Sequence, residues 1–258
     1  MKLLITNDDG ILAEGLWTLA KELRNIAQVV VVAPDREQSA IGTAVTLSHP
    51  LRVRSVRPAV PEVEAYSVEG TPADSVILAL EKLVKNEIAL VISGINHGLN
   101  LGNDVLISGT VSAALQGYLR GFPALAISMS WDSLHLNNAA KAAALLVEKL
   151  VSNALHSNIF LNVNLPDLPL PEIRGIKVTH LASESHIDTI EEGHDGRRKY
   201  YWLVRQQINR NRSDMTDIGA IEQGNISITP LHNYLNNKSS PIITDSFCSD
   251  ILGELQKN

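Results

Sequence analysis

Cysteine is almost missing from this chain: its 258 residues include one, Cys248. A single thiol excludes an intrachain disulfide and a cysteine-built zinc site, and fits a reducing compartment. We expect Cys248 to be a small, partly buried residue without a reactive role. Aromatic residues are scarce at 4 %, and 22 basic residues face 28 acidic ones, for a net charge of −6. Proteins that bind nucleic-acid polymers combine a basic surface with stacking rings, so that partner class is disfavoured. No apolar run reaches the roughly 18 residues of a membrane-spanning helix. The first residues show no basic segment followed by an apolar one and a cleavage site, so no signal peptide is expected. A cytoplasmic, soluble protein with no membrane partner is the expectation. Chemical signatures are missing too. The absence of GxxxxGK(S/T), of GxSxG, of GxGxxG after the first strand and of HExxH disfavours P-loop, serine-triad, dinucleotide and zinc-peptidase readings.

What is present alternates. Residues 2–6 read as a buried strand, followed by an amphipathic helix over about 15–25 with Leu16, Leu19, Ala20 and Leu23 at helical spacing. "QVVVVAP" (28–34) is a β-branched run closed by proline, the pattern of a strand buried on both faces of a parallel sheet. In "EGTPADSV" Thr71 is placed as a helix cap with Pro72 at the first helical position. Strands are predicted at "IALVIS" (88–93), "ALAISMS" and "IFLNVNLP", and helices from Ser108 and over 139–150. This order predicts an α/β fold with a doubly wound, mostly parallel sheet over residues 1–166. After Pro166 the alternation stops. Residues 167–258 read as an irregular, hairpin-rich appendage with a strand at "NISITPL" and a terminal helix at "SDILGELQ", an oligomerisation segment by expectation.

Ligands of open α/β sheets bind beyond the carboxyl ends of the strands. After the first strand come Asn7, Asp8, Asp9 and Gly10; after the second, Asp35, Arg36, Gln38, Ser39 and Gly42; after "IALVIS", the stretch "GINHGLNLGNDVLISGT". Asn7 to Gly10 alone would pass for a solvated turn, but three loops delivering oxygen donors, amides and glycines to one edge point to a site. Two adjacent carboxylates repel unless a counter-charge relieves them. Asp8 and Asp9, with Ser39 and Asn96 as neutral oxygens, make a donor set for a hard divalent cation, Mg2+ or Mn2+. Ser108, Gly109 and Thr110 precede a helix whose N-terminus attracts phosphate, so they are expected to bind substrate together with Asn7 and Gly42. Asn100 and Asn103 either join them or only cap turns. His97 is a conceivable general acid, although a lone loop histidine is more often incidental.

"ITNDDGILAEGL", "VAPDREQSAIG", "VEGTPADSV", "VISGINHGLNLGNDVLISGTVSAALQG" and "TDIGAIEQGNISITPL" together resemble the SurE family, the stationary-phase survival 5′-nucleotidases, in order and over nearly the whole chain. The resemblance implies a Rossmann-like core and a divalent-metal-dependent phosphatase acting on nucleoside 5′-monophosphates with broad tolerance. It implies metal ligation by Asp8, Asp9, Ser39 and Asn96, with homodimers or homotetramers formed by exchange of C-terminal elements. One local departure is "SDMTDIGA", where the family more often has glycine before the TD pair. Two other readings compete: a metal- or nucleotide-sensing module without turnover, and a haloacid dehalogenase-like phosphatase, which needs DxD instead of DD. Asp8 or Asp9 would be general base or nucleophile; the sequence leaves that choice open.

Overall fold

The computed structural model describes residues 1–84, 88–130, 134–152, 159–183, 187–205 and 215–232. In chain order the elements are β1 (Lys2–Thr6), α1 (Glu14–Leu23), β2 (Gln28–Pro34), β3 (Val53–Ser55), β4 (Glu64–Val68) and α2 (Pro72–Leu78), which runs on into a π-helical turn, Ala79–Leu83. Then come β5 (Ile88–His97), a 3-10 turn (Gly102–Leu106), α3 (Gly109–Leu119), β6 (Ala124–Met129), α4 (Leu136–Ser152) and β7 (Phe160–Leu165). The remainder holds β8 (Gly175–Val178), β9 (Ile187–His194), β10 (Lys199–Arg205), α5 (Asp217–Glu222) and β11 (Asn225–Pro230).

Nine strands form one sheet in the order β3-β4-β2-β1-β5-β6-β7-β11-β8. The run from β4 to β7 is parallel throughout. Alternate side chains of each central strand go to opposite faces. Leu3 and Ile5 pack with Leu16 and Leu19 of α1 and with Ala140 and Val147 of α4. Leu4 packs on the other side with Val76 of α2 and with Val111 and Ala114 of α3. Both faces are therefore covered, which is why the central strands read as unbroken apolar runs instead of alternating ones. The chain order returns to β1 between β2 and β5, so the crevice at the topological switch lies beyond β1.

Local chemistry sets the helix starts. Thr71 accepts the Asp74 N–H at 3.1 Å while the Asp74 carboxylate accepts the Thr71 N–H at 2.9 Å, a reciprocal cap. Asp74 also takes the Thr46 N–H and hydroxyl at 2.9 and 2.6 Å, pinning the loop after β2. The strand expected to stop at Ser93 continues to His97: its register against β6 slips between Ser93 and Asn96, and Asn96 and His97 then pair with Ser128 and Met129. The expected long loop is shortened accordingly, and Asn96 stands on a strand.

Beyond Pro166 the chain divides. β11 runs antiparallel to β7 and parallel to β8, so both complete the main sheet. β9 and β10 pair with each other as a separate hairpin that leaves Tyr200, Tyr201, Trp202 and Leu203 exposed. The expected helix over 249–256 and the surroundings of Cys248 lie outside the described residues. Among the described residues no helix is long and apolar enough to cross a membrane.

Candidate active site

β1 delivers its carboxylates through a turn built by Asn7. The buried Asn7 amide donates to the Gly10 carbonyl at 3.0 Å, and its oxygen accepts the Gly10 N–H at 3.2 Å. Gly10 has φ +95°, and a Cβ there would lie 2.9 Å from the Arg36 carbonyl carbon, so both conformation and space demand glycine. Asn7, expected to bind substrate, is placed beneath the site as a fastener of this turn. The Gln38 N–H donates to the Asp8 carbonyl at 2.7 Å and joins the turn to the loop after β2.

Asp8 is only 4 % exposed, and the Thr110 hydroxyl donates to its Oδ1 at 2.5 Å. A Cβ at Gly109 would lie 2.8 Å from the Asp8 Cβ, so the start of α3 rests directly on this carboxylate. Gly109 and Thr110 thus stand behind Asp8, while Ser108, the N-cap that accepts the Val111 N–H at 3.1 Å, reaches the pocket. Asp9 is half-buried, and its Oδ2 accepts the His97 N–H at 3.3 Å. Burial pushes the Asp8 carboxyl up to about 7, against the pull of the Thr110 hydrogen bond and with help from the neighbouring Asp9 charge. Burial also raises Asp9; the His97 N–H and ring oppose this, and the Glu37 carboxylate adds to it.

The crevice is a pocket of about 260 Å³ whose lining includes Asp8, Ser39, Asn96, Asn100 and Ser108. A neighbouring pocket of about 220 Å³ is lined by Asp9 and shares Glu37 and His97 with the first. Gly42, expected to bind substrate, is not among the lining residues; its N–H donates to the carbonyl of Ile107, which lines the pocket, at 2.9 Å. Asn100 is locked in a buried amide network: its N–H donates to Asn164 Oδ1 at 2.8 Å, its side chain donates to Ser128 at 2.8 Å, and its carbonyl accepts from Asn162 and Asn164. Asn103 points outward to the Ser183 carbonyl at 3.0 Å. Three acidic residues escaped the sequence reading. Glu37 and Asp104 line the pocket and Asp217 lies behind it; of these, Glu37 had a signal, two positions before Ser39 in "DREQS".

The donor set suits a hard divalent cation. Among the described residues no three His, Cys, Asp or Glu side chains gather as a ligand cluster. What the pockets offer is the adjacent carboxylates of Asp8 and Asp9 with neutral oxygens from Ser39 and Asn96, while Glu37 and Asp104 add carboxylates to the lining. The Asn96 amide nitrogen donates to the Gly98 carbonyl at 2.7 Å, which leaves its oxygen as the acceptor. The Ser39 hydroxyl donates to Glu37 at 2.7 Å and keeps its lone pairs. None of the groups acting on Asp8 is a cationic side chain, so the paired carboxylates carry a charge cost that a bound cation would offset.

The family model described as "Survival protein SurE" matches residues 3–188. The chain belongs to the SurE family. It is 52 % identical over 255 residues to a 5′-nucleotidase SurE of Dehalococcoides mccartyi, covering 98 % of this chain and 96 % of that one. Identity to a 5′-nucleotidase SurE of Vibrio vulnificus is 45 % over 252 residues, with 97 % and 96 % covered. The crystal structure of a SurE protein from Aquifex aeolicus superposes with a TM-score of 0.80 at 32 % identity, covering 99 % of this chain and all of that one. The SurE match spans β1, β2, β5 and the start of α3, the elements that carry the paired aspartates, Ser39, Asn96 and Ser108.

Proposed function

We propose that this chain is a divalent-metal-dependent 5′-nucleotidase that hydrolyses nucleoside 5′-monophosphates to nucleoside and phosphate. One observation carries the reading: at the switch point of the sheet the buried Asp8 and the half-buried Asp9 line two adjoining pockets, the first of which also presents the neutral oxygens of Ser39 and Asn96 and the N-cap of α3, with Glu37 and Asp104 as further carboxylates. The names of the SurE relatives support it. Asp8, Asp9, Ser39 and Asn96 would hold Mg2+ or Mn2+, which supplies charge neutralisation at a phosphoryl oxygen and a more acidic water. Thr110 holds Asp8 in one orientation. Asp9, the less buried of the two, would accept a proton from the attacking water in this reading. Ser108 and the start of α3 present a hydroxyl and a positive helix end to the phosphate. No Phe, Tyr or Trp is among the described residues lining either pocket, which favours broad phosphomonoester tolerance over reading of the base and leaves room for polyphosphate. The exposed apolar hairpin β9–β10 supports a homodimer or homotetramer, because a bare two-stranded ribbon is marginal in water.

Hydrolysis of AMP and of p-nitrophenyl phosphate, measured with excess EDTA and after Mn2+ or Mg2+ is added back, tests the reading. Loss and recovery of turnover is expected. Full activity in EDTA overturns the metal requirement. Tight AMP binding without turnover under any metal returns the sensing module.

A further inference from the structure

The segment 100–108, which lines the pocket together with Asp8, is held by the C-terminal part of the chain. Asp217, the first residue of α5, is fully buried. Its Oδ2 accepts the Gly102 N–H at 2.7 Å; its Oδ1 accepts the Ala182 N–H at 2.9 Å and the Ile218 N–H at 2.8 Å. Three backbone donors from separate parts of the chain meet one carboxylate. Leu101, Ala182 and Ile218 form a small buried apolar cluster beside them. The start of α5 is capped independently, by the Thr216 hydroxyl accepting the Gly219 N–H at 3.0 Å. The helix therefore has its own cap, and the Asp217 carboxylate acts as a tether between segments. What it tethers is functional ground: Asn100, Asp104, Ile107 and Ser108, on either side of Gly102, all line the pocket.

We propose that Asp217 is a positioning residue for substrate binding, acting through the Gly102 backbone to fix the segment 100–108 that faces the substrate. The proposal rests on the phosphatase reading of the pocket. Asp8 and Asp9 stand on the turn after β1, which Asn7 and the Gln38 N–H hold without Asp217.

Asp217→Asn cuts this tether selectively. It keeps the volume and exchanges one acceptor oxygen for an N–H donor group. The Asn oxygen stays where two amides converge, from Ala182 and Ile218, so the new NH2 group faces the Gly102 N–H, donor against donor. KM for AMP should rise about tenfold, the effect of one well-placed hydrogen bond on binding, with kcat close to wild type. A purely structural role would instead reduce the active fraction and the apparent kcat without moving KM. Ile226→Val, in buried β11, serves as the destabilised control with wild-type KM. A folded Asp217→Asn protein with wild-type KM overturns the proposal. Should that variant not fold, hydrogen exchange of the wild type decides: the Gly102, Ala182 and Ile218 amides should be protected together. Rapid exchange at Gly102 with the other two protected overturns the tether. If wild-type protein hydrolyses neither AMP nor p-nitrophenyl phosphate with any metal, the phosphatase reading has failed, and the exchange pattern still tests the tether.

Discussion

Consider the protein stripped of divalent cations and carried from about pH 4 to about pH 8, across the ordinary and shifted carboxylate ranges. Asp8 is nearly fully buried, and its carboxyl rises from 3.8 to about 7. Between those values the unfolded chain has released the proton and the folded chain still binds it. The unfolding free energy therefore falls as pH rises. The cost is absent below the unfolded value and complete above about 7. At about 1.36 kcal/mol for each tenfold change in proton activity, it reaches about 4 kcal/mol. That is a large part of the roughly 5–15 kcal/mol that holds a domain folded. Burial shifts Asp9 in the same direction, so its contribution has the same sign. Saturating Mn2+ should remove the loss, since the cation binds the ionised pair and stabilises the folded state by mass action. The assay is urea unfolding at a series of pH values, in EDTA and in Mn2+, for wild type and Asp8→Asn. Taking the difference between the two proteins cancels the other titrating groups. Parallel pH profiles for wild type and Asp8→Asn in EDTA would refute the reasoning.

Three further predictions follow the same geometry. In Gly109→Ala the new Cβ would lie 2.8 Å from the Asp8 Cβ and 2.9 Å from Oδ2; kcat/KM should drop on the order of 100-fold through displacement of that carboxylate, with an unchanged circular-dichroism spectrum, and near-wild-type turnover would count against it. Thr110→Val removes the hydroxyl whose hydrogen bond favours the ionised form of Asp8, so the acid limb of the kcat/KM profile should move to higher pH; an unmoved limb would deny Asp8 a part in that limb. Trp202, 66 % exposed on the hairpin, should sit at a subunit contact. Trp202→Glu should then convert a sedimenting dimer or tetramer to monomer, and wild type running as a single 28.1 kDa species would reject the assembly.

The central strands were legible because burial on both faces writes itself as largely apolar runs in β1, β2, the first half of β5 and β6, whereas β7 alternates apolar residues with Asn162 and Asn164. The edge of the site was legible for the same reason, since knowing where those strands end locates Asp8, Asp9, Ser39 and Ser108. The partly exposed β8 carries no such run, and its place beside β11 depends on pairing across 50 residues, Gly175 with Asn225. Asn7 read as a ligand because a polar residue after a strand looks alike whether it faces the pocket or folds back on Gly10. Thr110 read as a phosphate donor, while its hydroxyl serves a carboxylate 102 residues away. Asp217 was legible only as the acid of the TD pair; its role as a tether left no local trace, because its partners come from Gly102 and Ala182, brought together only by the fold.

The most direct test of the metal-centred account is diffraction from crystals soaked in Mn2+, collected to reveal its anomalous signal. The account predicts one strong peak within roughly 2.0–2.6 Å, the span of hard-cation distances to oxygen, of carboxylate oxygens from both Asp8 and Asp9, with the Asn96 amide oxygen and the Ser39 hydroxyl completing the protein's share. An anomalous map with no peak between the two aspartates, from crystals whose dissolved protein hydrolyses AMP in the same Mn2+ solution, would contradict it.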